Sequence, residues 1–177
     1  MQPSVLILGL GNPLRGDDGI GCRVVEELVR RGLPDGVEAL DGGAAGLGLL
    51  DLMEGWERVV IVDAAEMGRG PGEFIRLTPA DVQLASTSDR FSLHHAGLSE
   101  VLALADALGR ALPEMVIFGV QPAVIGWREG LSPVVESVLP ALTDAILEEI
   151  IKPELSPTAW QKVISTSVRP QPVKRDS

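Results

Sequence analysis

The chain has 177 residues, 45% of them hydrophobic, and a formal net charge of -10 at neutral pH. This length and composition fit one globular domain with a substantial core and exclude a disordered chain. The acidic charge disfavours a nucleic-acid partner, because binding to phosphates depends on Lys and Arg. A single cysteine, Cys22, excludes an internal disulfide framework and favours a reducing compartment.

The sequence carries no sign of a targeting or membrane segment. It lacks an apolar run of roughly 18 residues, so we expect no transmembrane helix and no insertion into a membrane. Residues 1–4 have neither a basic region nor a small-residue cleavage site, so we expect no signal peptide and a cytoplasmic protein. Residues 1–152 are predicted to form a single α/β domain, and residues 153–177, with four prolines, a C-terminal tail.

The first elements along the chain are a buried strand, a glycine-rich turn and a helix. The strand is predicted at residues 4–9, where an apolar run is typical of a parallel-sheet strand covered on both faces. The turn carries two adjacent carboxylates, Asp17 and Asp18, and an amphipathic helix is predicted at residues 20–31. Because ligands of open α/β sheets bind beyond the carboxyl ends of strands, this turn is a candidate site.

The middle of the chain repeats the alternation of strand and helix. A short strand at residues 37–40 leads into a small-residue loop that begins at Asp41, and a short helix is predicted at residues 47–53. A third buried strand at residues 58–62 ends at Asp63. A weaker, edge strand is predicted at residues 73–77.

The last part of the domain begins with a polar stretch without periodicity. Residues 78–91 predict a loop, which leads to His94 and His95, the only two histidines of the chain. The remaining elements are a helix, a strand and a C-terminal helix, predicted at residues 98–108, 115–120 and 132–151. The order βαβαββαβα predicts one parallel-dominated sheet with helices on both faces. The short link between the third and fourth strands indicates that one strand runs antiparallel.

Three loops at the ends of predicted elements carry the candidate chemistry: Asp17 and Asp18, Asp63, and the histidine pair. Because parallel strands bring their carboxyl ends to one edge, we expect Asp18 and Asp63 to be neighbours. Two carboxylates and an imidazole suit zinc, nickel or a similar divalent ion with open positions for a substrate. Such an ion polarises a carbonyl or activates water.

Each of these residues also has a structural interpretation. Asp17 or Asp18 could cap the following helix, Asp63 could accept hydrogen bonds from loop amides, and a histidine in a loop is commonly structural. Cys22 is interpreted as a core residue, since its neighbours in the sequence supply no base. The residues alone therefore predict an acidic pocket in an α/β domain.

The glycine-rich segment matches two nucleotide-binding motifs only in part. Gly9 and Gly11 begin a dinucleotide fingerprint, but Leu14 stands where its third glycine belongs. The spacing from Gly11 to Gly16 fits a phosphate loop, yet two aspartates replace its Lys-Ser/Thr pair and would repel a phosphate.

Taken together, the motifs resemble the nickel–iron hydrogenase maturation endopeptidases over most of residues 4–151. The resemblance rests on the segment from Gly9 to Gly21, on Asp41-Gly42-Gly43, on Val62-Asp63-Ala64 and on Ser92-Leu93-His94. It implies a three-layer α/β/α sandwich of the phosphorylase/hydrolase-like type, with a five-stranded, mostly parallel mixed sheet. The family's two acids fall on Asp18 and Asp63 and its histidine on His94, although the adjacent His95 leaves that last assignment ambiguous.

The resemblance also implies a function. The protein would be an aspartic-type or metal-dependent endopeptidase that removes the C-terminal extension of a hydrogenase large-subunit precursor after nickel insertion. Asp18, Asp63 and His94 would be both the metal-recognising and the catalytic residues. The nickel would arrive with the substrate, and no cofactor would be permanently bound. The precursor would be the transient partner of a monomer.

Two alternatives stay open at this point. The peptidyl-tRNA hydrolases also begin with a strand followed by Gly-Leu-Gly-Asn-Pro, but this chain has no tyrosine, and Asp17-Asp18-Gly19 replaces their Arg-His-Asn segment. A module that binds a metal-containing precursor without cutting it is the second alternative.

Overall fold

The computed structural model describes residues 4–43, 46–85, 92–93 and 97–151, so the predicted tail at 153–177 lies outside the described residues. The described chain contains six strands: β1 (Val5–Leu10), β2 (Val37–Gly43), β3 (Arg58–Glu66), β4 (Phe74–Leu77), β5 (Ser92–Leu93) and β6 (Glu114–Val120). It contains six α-helices: α1 (Ile20–Arg31), α2 (Leu49–Met53), α3 (Pro79–Ala85), α4 (Gly97–Ala107), α5 (Pro133–Glu136) and α6 (Leu139–Ile151). Two short 3₁₀ turns lie at Asp17–Gly19 and Gly46–Gly48.

The sheet is mixed and mostly parallel, as predicted. Five strands follow the order β2-β1-β3-β6-β4, and β5 pairs separately with β3. Strands β1, β2, β3 and β6 are parallel, whereas β4 is antiparallel to β6 and forms an edge. Strand β4 follows the short link after β3, so the prediction of an antiparallel strand at that link is confirmed.

Helices cover both faces of this sheet, which confirms the three-layer sandwich. Side chains on one face of the sheet, such as Ile7 and Val60, pack with α1, α5 and α6 in one core cluster. Side chains on the opposite face, such as Leu6 and Ile61, pack with α2, α3 and α4 in the second cluster. This division follows from the two-residue period of a strand, which sends neighbouring side chains to opposite faces. Within the described ranges, no helix is long and apolar enough to cross a bilayer.

Helix α3 occupies part of the stretch that was predicted to be a loop, and that prediction was wrong. The Thr78 backbone N–H donates to Asp81 Oδ2 at 2.7 Å, and the Asp81 N–H donates to Thr78 Oγ1 at 3.3 Å. This is a capping box, with Pro79 in the first helical position and Val82 buried against the sheet. The cap and the burial of Val82 explain a two-turn helix in a stretch without marked periodicity.

The helix predicted at residues 132–151 is divided into α5 and α6 between Glu136 and Leu139. Pro140 explains the division, because proline has no N–H to donate to the Glu136 carbonyl and its ring would contact that carbonyl. Two strands are longer than predicted for a different reason. Pairing with β1 extends β2 to Gly43, and pairing with β5 and β6 extends β3 to Glu66.

A buried ion cluster attaches α6 to strands β3 and β4. Glu149 is 1% exposed and its carboxylate accepts hydrogen bonds from the guanidinium groups of Arg58 and Arg76. Arg58 also donates to the Glu149 carbonyl oxygen at 2.8 Å and pairs with Glu114 at 3.1 Å. Since Arg58 lies on β3 and Arg76 on β4, the cluster fixes one end of α6 across two strands.

Candidate active site

The glycine-rich turn after β1 brings three backbone segments closer together than side chains would allow. Gly11 has φ +121°, and a Cβ there would overlap the Asp18 carbonyl oxygen. A Cβ on Gly21 would lie 2.6 Å from the Val62 carbonyl oxygen and closer still to the backbone of Leu10. These two glycines let the first turn of α1 lie directly against β1 and β3, so the carboxylates of the turn sit at the sheet edge.

Asp18 lies in the buried 3₁₀ turn that precedes α1, and only 1% of its surface is exposed. Its Oδ2 accepts a hydrogen bond from the Asn12 N–H at 3.1 Å, which closes the loop onto the carboxylate. Asn12 in turn accepts from the Leu14 N–H at 2.9 Å. The N-cap residues of the turn and of α1 are Gly16 and Gly19, so Asp18 does not occupy the N-cap position of either.

Asp63 is fully buried and lies within β3, not after it, because β3 continues to Glu66. The pairing of β3 with β1 ends at Val62, while its pairing with β6 continues through Asp63 and Gly119. Asp63 is therefore the first residue of β3 beyond the end of its β1 ladder. The Asp17–Gly19 turn packs against β3, so both predicted acids belong to the same carboxyl edge of the sheet.

Asp17 has a structural role that local sequence patterns do not reveal. Its carboxylate accepts hydrogen bonds from the Ala123 and Val124 N–H groups at 2.8 and 2.9 Å. It also accepts from the Ser132 N–H at 2.6 Å and from the Ser132 hydroxyl at 2.8 Å. Ser132 precedes α5 and makes no side-chain cap, and its hydroxyl donates to Asp17. Asp17 thus fastens the loop after β6 to the turn that carries Asp18.

Cys22 lies in the first turn of α1 and is 4% exposed, in agreement with its interpretation as a core residue. Its thiol donates to Asp41 Oδ1 at 3.3 Å. Burial and this hydrogen bond to a carboxylate raise the pKa of the Cys22 thiol to about 12. A neutral thiol is a poor nucleophile, which argues against cysteine catalysis at this edge.

Gln121 is a second organising residue that the sequence did not single out. It directly follows β6 and is 4% exposed. Its side-chain oxygen accepts from the Met67 N–H at 2.8 Å and the Arg69 N–H at 3.2 Å, and its amide donates to Glu66. Gln121 therefore holds the chain that leaves β3 just beyond Asp63.

The predicted histidines, His94 and His95, lie outside the described residues. Strand β5, which immediately precedes them, is described: Leu93 pairs with Ala65, two residues after Asp63. In the part of the chain that the structure describes, no three His, Cys, Asp or Glu side chains are grouped as a metal site. The described geometry thus contributes two buried carboxylates at one edge, with oxygen ligands of the kind that divalent cations bind.

Comparison with known proteins agrees with this architecture. The family model for HycI, hydrogenase maturation protease, matches residues 22–149. The chain belongs to the hydrogenase maturation protease family. Membership of this family favours a hydrogenase maturation protease over the alternative of a peptidyl-tRNA hydrolase.

Individual relatives of the hydrogenase maturation protease family cover most of the domain. The hydrogenase expression/formation protein HupD of Bradyrhizobium diazoefficiens is 38% identical over 141 residues, which are 78% of this chain and 73% of that protein. The hydrogenase 2 maturation protease of Escherichia coli is 36% identical over 145 residues, covering 81% and 88% of the two chains. The structure of the hydrogenase maturating endopeptidase HybD from E. coli superposes with a TM-score of 0.73 at 34% identity, covering 85% and 93%.

Proposed function

We propose that this maturation protease removes the C-terminal extension from the nickel-loaded precursor of a nickel–iron hydrogenase large subunit. In this proposal Asp18, Asp63 and His94 recognise the nickel of the substrate. The observation that carries it is the pair of buried carboxylates at the carboxyl edge of the sheet, one on the turn packed against β3 and one within β3. Family membership supports the reaction class, since the E. coli relative is itself named a hydrogenase 2 maturation protease.

Nickel recognition has a simple electrostatic basis. Asp18 and Asp63 are buried at one edge, and a divalent ion brought by the substrate would compensate the negative charge of their carboxylates. Carboxylate oxygen and imidazole nitrogen are both acceptable ligands for such an ion. A precursor that already holds nickel would therefore bind more tightly than an empty one. The site would thus check that nickel insertion is complete before the extension is removed.

For the cleavage step we infer aspartic-type or metal-dependent hydrolysis. A carboxylate at position 18 or 63 would accept a proton from the attacking water and return it to the amine that leaves as the peptide C–N bond breaks. The ion on the substrate would polarise the scissile carbonyl. The raised pKa of the Cys22 thiol supports this inference, because it removes the one thiol as a nucleophile. We expect the reaction to take place in the cytoplasm, with the protease as a monomer.

Strand β5 supports the inclusion of a histidine in this proposal. Leu93 pairs with Ala65 on β3, and His94 is the next residue in the chain. This pairing brings the segment that leads to the histidines alongside the strand of Asp63. Separate His94→Ala and His95→Ala substitutions decide between the two, with loss of processing expected for His94 alone.

The proposal is tested by incubating the full-length protein with purified precursor, loaded with nickel or free of it, and measuring the C-terminal mass. We expect cleavage of the loaded precursor only. Asp18→Asn and Asp63→Asn should each lower kcat/KM by at least about a hundredfold, a typical contribution of an acid–base group. Asp106→Asn, an exposed acid on α4, is the matched control and should cleave normally.

Three outcomes would contradict parts of this proposal. Equal cleavage of loaded and empty precursor would remove nickel recognition. Normal processing by Asp18→Asn would remove the role of that residue. Binding of the loaded precursor without any change in its mass would instead favour the non-cleaving binding module.

A further inference from the structure

An apolar surface adjoins the turn of Asp17 and Asp18, and the chemistry described so far does not use it. Three large apolar side chains are exposed there: Trp127 at 84%, Leu14 at 54% and Val124 at 44%. We call the segments 14–16 and 124–128 together the Trp127 surface. A tryptophan exposed to this extent leaves most of its large apolar area in water, which is unusual away from an interaction site.

Backbone hydrogen bonds hold the two segments of the Trp127 surface together. The Gly16 N–H donates to the Arg128 carbonyl oxygen at 2.7 Å, and the Arg128 N–H donates to the Leu14 carbonyl oxygen at 3.0 Å. The Asp17 N–H donates to the Val124 carbonyl oxygen at 3.0 Å. The exposed side chains of both segments therefore belong to one continuous surface.

Hydrogen bonds within the protein hold the loop of the Trp127 surface in place before any partner binds. Asp17 accepts two hydrogen bonds from the chain just before Trp127 and two from Ser132 just after it. The loop is thus fastened at both ends by a buried carboxylate. A preformed loop avoids part of the ordering cost of association, so an exposed aromatic on it is a favourable anchor.

The charge of this surface differs from that of the molecule as a whole. The chain has a net charge of -10, yet Arg15 and Arg128 both lie on the Trp127 surface, where their backbones form a bridge. Among the described residues, neither guanidinium forms an ion pair, although the exposed Glu129 follows Arg128. Tryptophan with arginine is the composition found most often at the energetic centres of protein interfaces.

We propose that the Trp127 surface is the docking surface for the precursor protein, and that Trp127 inserts into an apolar pocket of the precursor flanked by carboxylates. This inference rests on the proposed function. The occupant follows from continuity: Asp17 holds the surface, and Asp18 of the proposed site is the next residue on the same buried turn. A folded precursor that brings its metal to Asp18 would lie over this surface.

The test compares Trp127→Ala with the wild type in binding and processing of the full-length nickel-loaded precursor. We expect the Kd and KM to rise at least about tenfold, with kcat nearly unchanged, because Trp127 contributes to binding and not to chemistry. Trp127→Phe should recover part of the affinity. Leu108→Ala is the matched control, since Leu108 is 62% exposed but directly follows α4, outside the Trp127 surface. Its kinetics should equal those of the wild type.

Failure of this inference is distinguishable from failure of the proposed function. If Trp127→Ala binds and cuts the precursor like the wild type while Asp18→Asn does not cut, the docking surface is wrong and the site stands. If the wild type binds the precursor through Trp127 but never cuts it, the docking surface stands and the protease assignment fails. If Trp127→Ala instead abolishes a dimer of the wild type and leaves the Kd for precursor unchanged, the surface serves self-association and our inference is overturned.

Discussion

The hydrogen bonds of Asp17 make a quantitative prediction about stability. In Asp17→Ala, four donors lose their acceptor, and the two from Ser132 are buried while the two from residues 123 and 124 are only part-buried. Each buried donor left without a partner costs about 1–3 kcal/mol, and water can reach the other two. We therefore expect the free energy of unfolding to fall by about 4 kcal/mol, a large part of the roughly 5–15 kcal/mol typical of a domain.

Urea denaturation of the wild type, Asp17→Ala, Ser132→Ala and the double variant measures this effect. Ser132→Ala removes only the hydroxyl donor and should cost about 1 kcal/mol. The double variant should be less destabilised than the sum of the two single variants by about 1 kcal/mol, because both remove the same hydrogen bond. A loss below about 1 kcal/mol for Asp17→Ala, or strict additivity in the cycle, would refute the assignment of Asp17 as the residue that fastens the loop.

Three further predictions concern the core. Cys22 should resist iodoacetamide at pH 8 in the native protein, as followed by mass spectrometry, and Cys22→Ala should process precursor normally. The pKa of the thiol rises from 9.0 in the unfolded chain to about 12 in the folded protein. The effect of this group on the free energy of unfolding is therefore constant below pH 9, and the protein loses stability as the pH rises from 9 towards 12. Glu149→Gln should lower the free energy of unfolding by about 3–5 kcal/mol, since the buried Arg58 and the partly buried Arg76 lose their carboxylate, while the exposed Glu148→Gln should change it by less than about 0.5 kcal/mol. Gly21→Ala should cost more than about 2 kcal/mol in the same denaturation assay, because its Cβ overlaps two strands.

Each of these three has a contrary result. Fast alkylation of native Cys22 would mean that the thiol is accessible and ionised. Equal stabilities of Glu149→Gln and Glu148→Gln would mean that the ion cluster does not attach α6. A fully stable Gly21→Ala would mean that α1 and the sheet can separate without cost.

Much of the fold could be predicted from the sequence because its main elements are encoded locally. Continuous apolar runs specify β1, β3 and β6, since parallel strands covered by helices on both faces bury both parities of side chain. The amphipathic pattern of α1 and the glycine that follows it specify that helix. The elements that were missed depend on weaker or distant effects. Helix α3 rests on a cap and little apolar periodicity, and the ends of β2 and β3 depend on pairing with strands elsewhere in the chain.

Some features of the candidate site could likewise be predicted from the sequence, and others required the tertiary structure. The sequence by itself determined that two adjacent acids follow β1 and that another acid stands near the carboxyl end of β3, because a continuous apolar run and the polar residues after it are local patterns. Composition and spacing did not separate Asp17 from Asp18, which are chemically identical and adjacent, and only the family resemblance pointed to Asp18. Only the tertiary structure decided that Asp17 fastens a loop whose donors lie 106 to 115 residues later in the chain, while Asp18 closes its own turn through Asn12. The physical reason is that hydrogen bonds between distant segments form only after the sheet has brought those segments together.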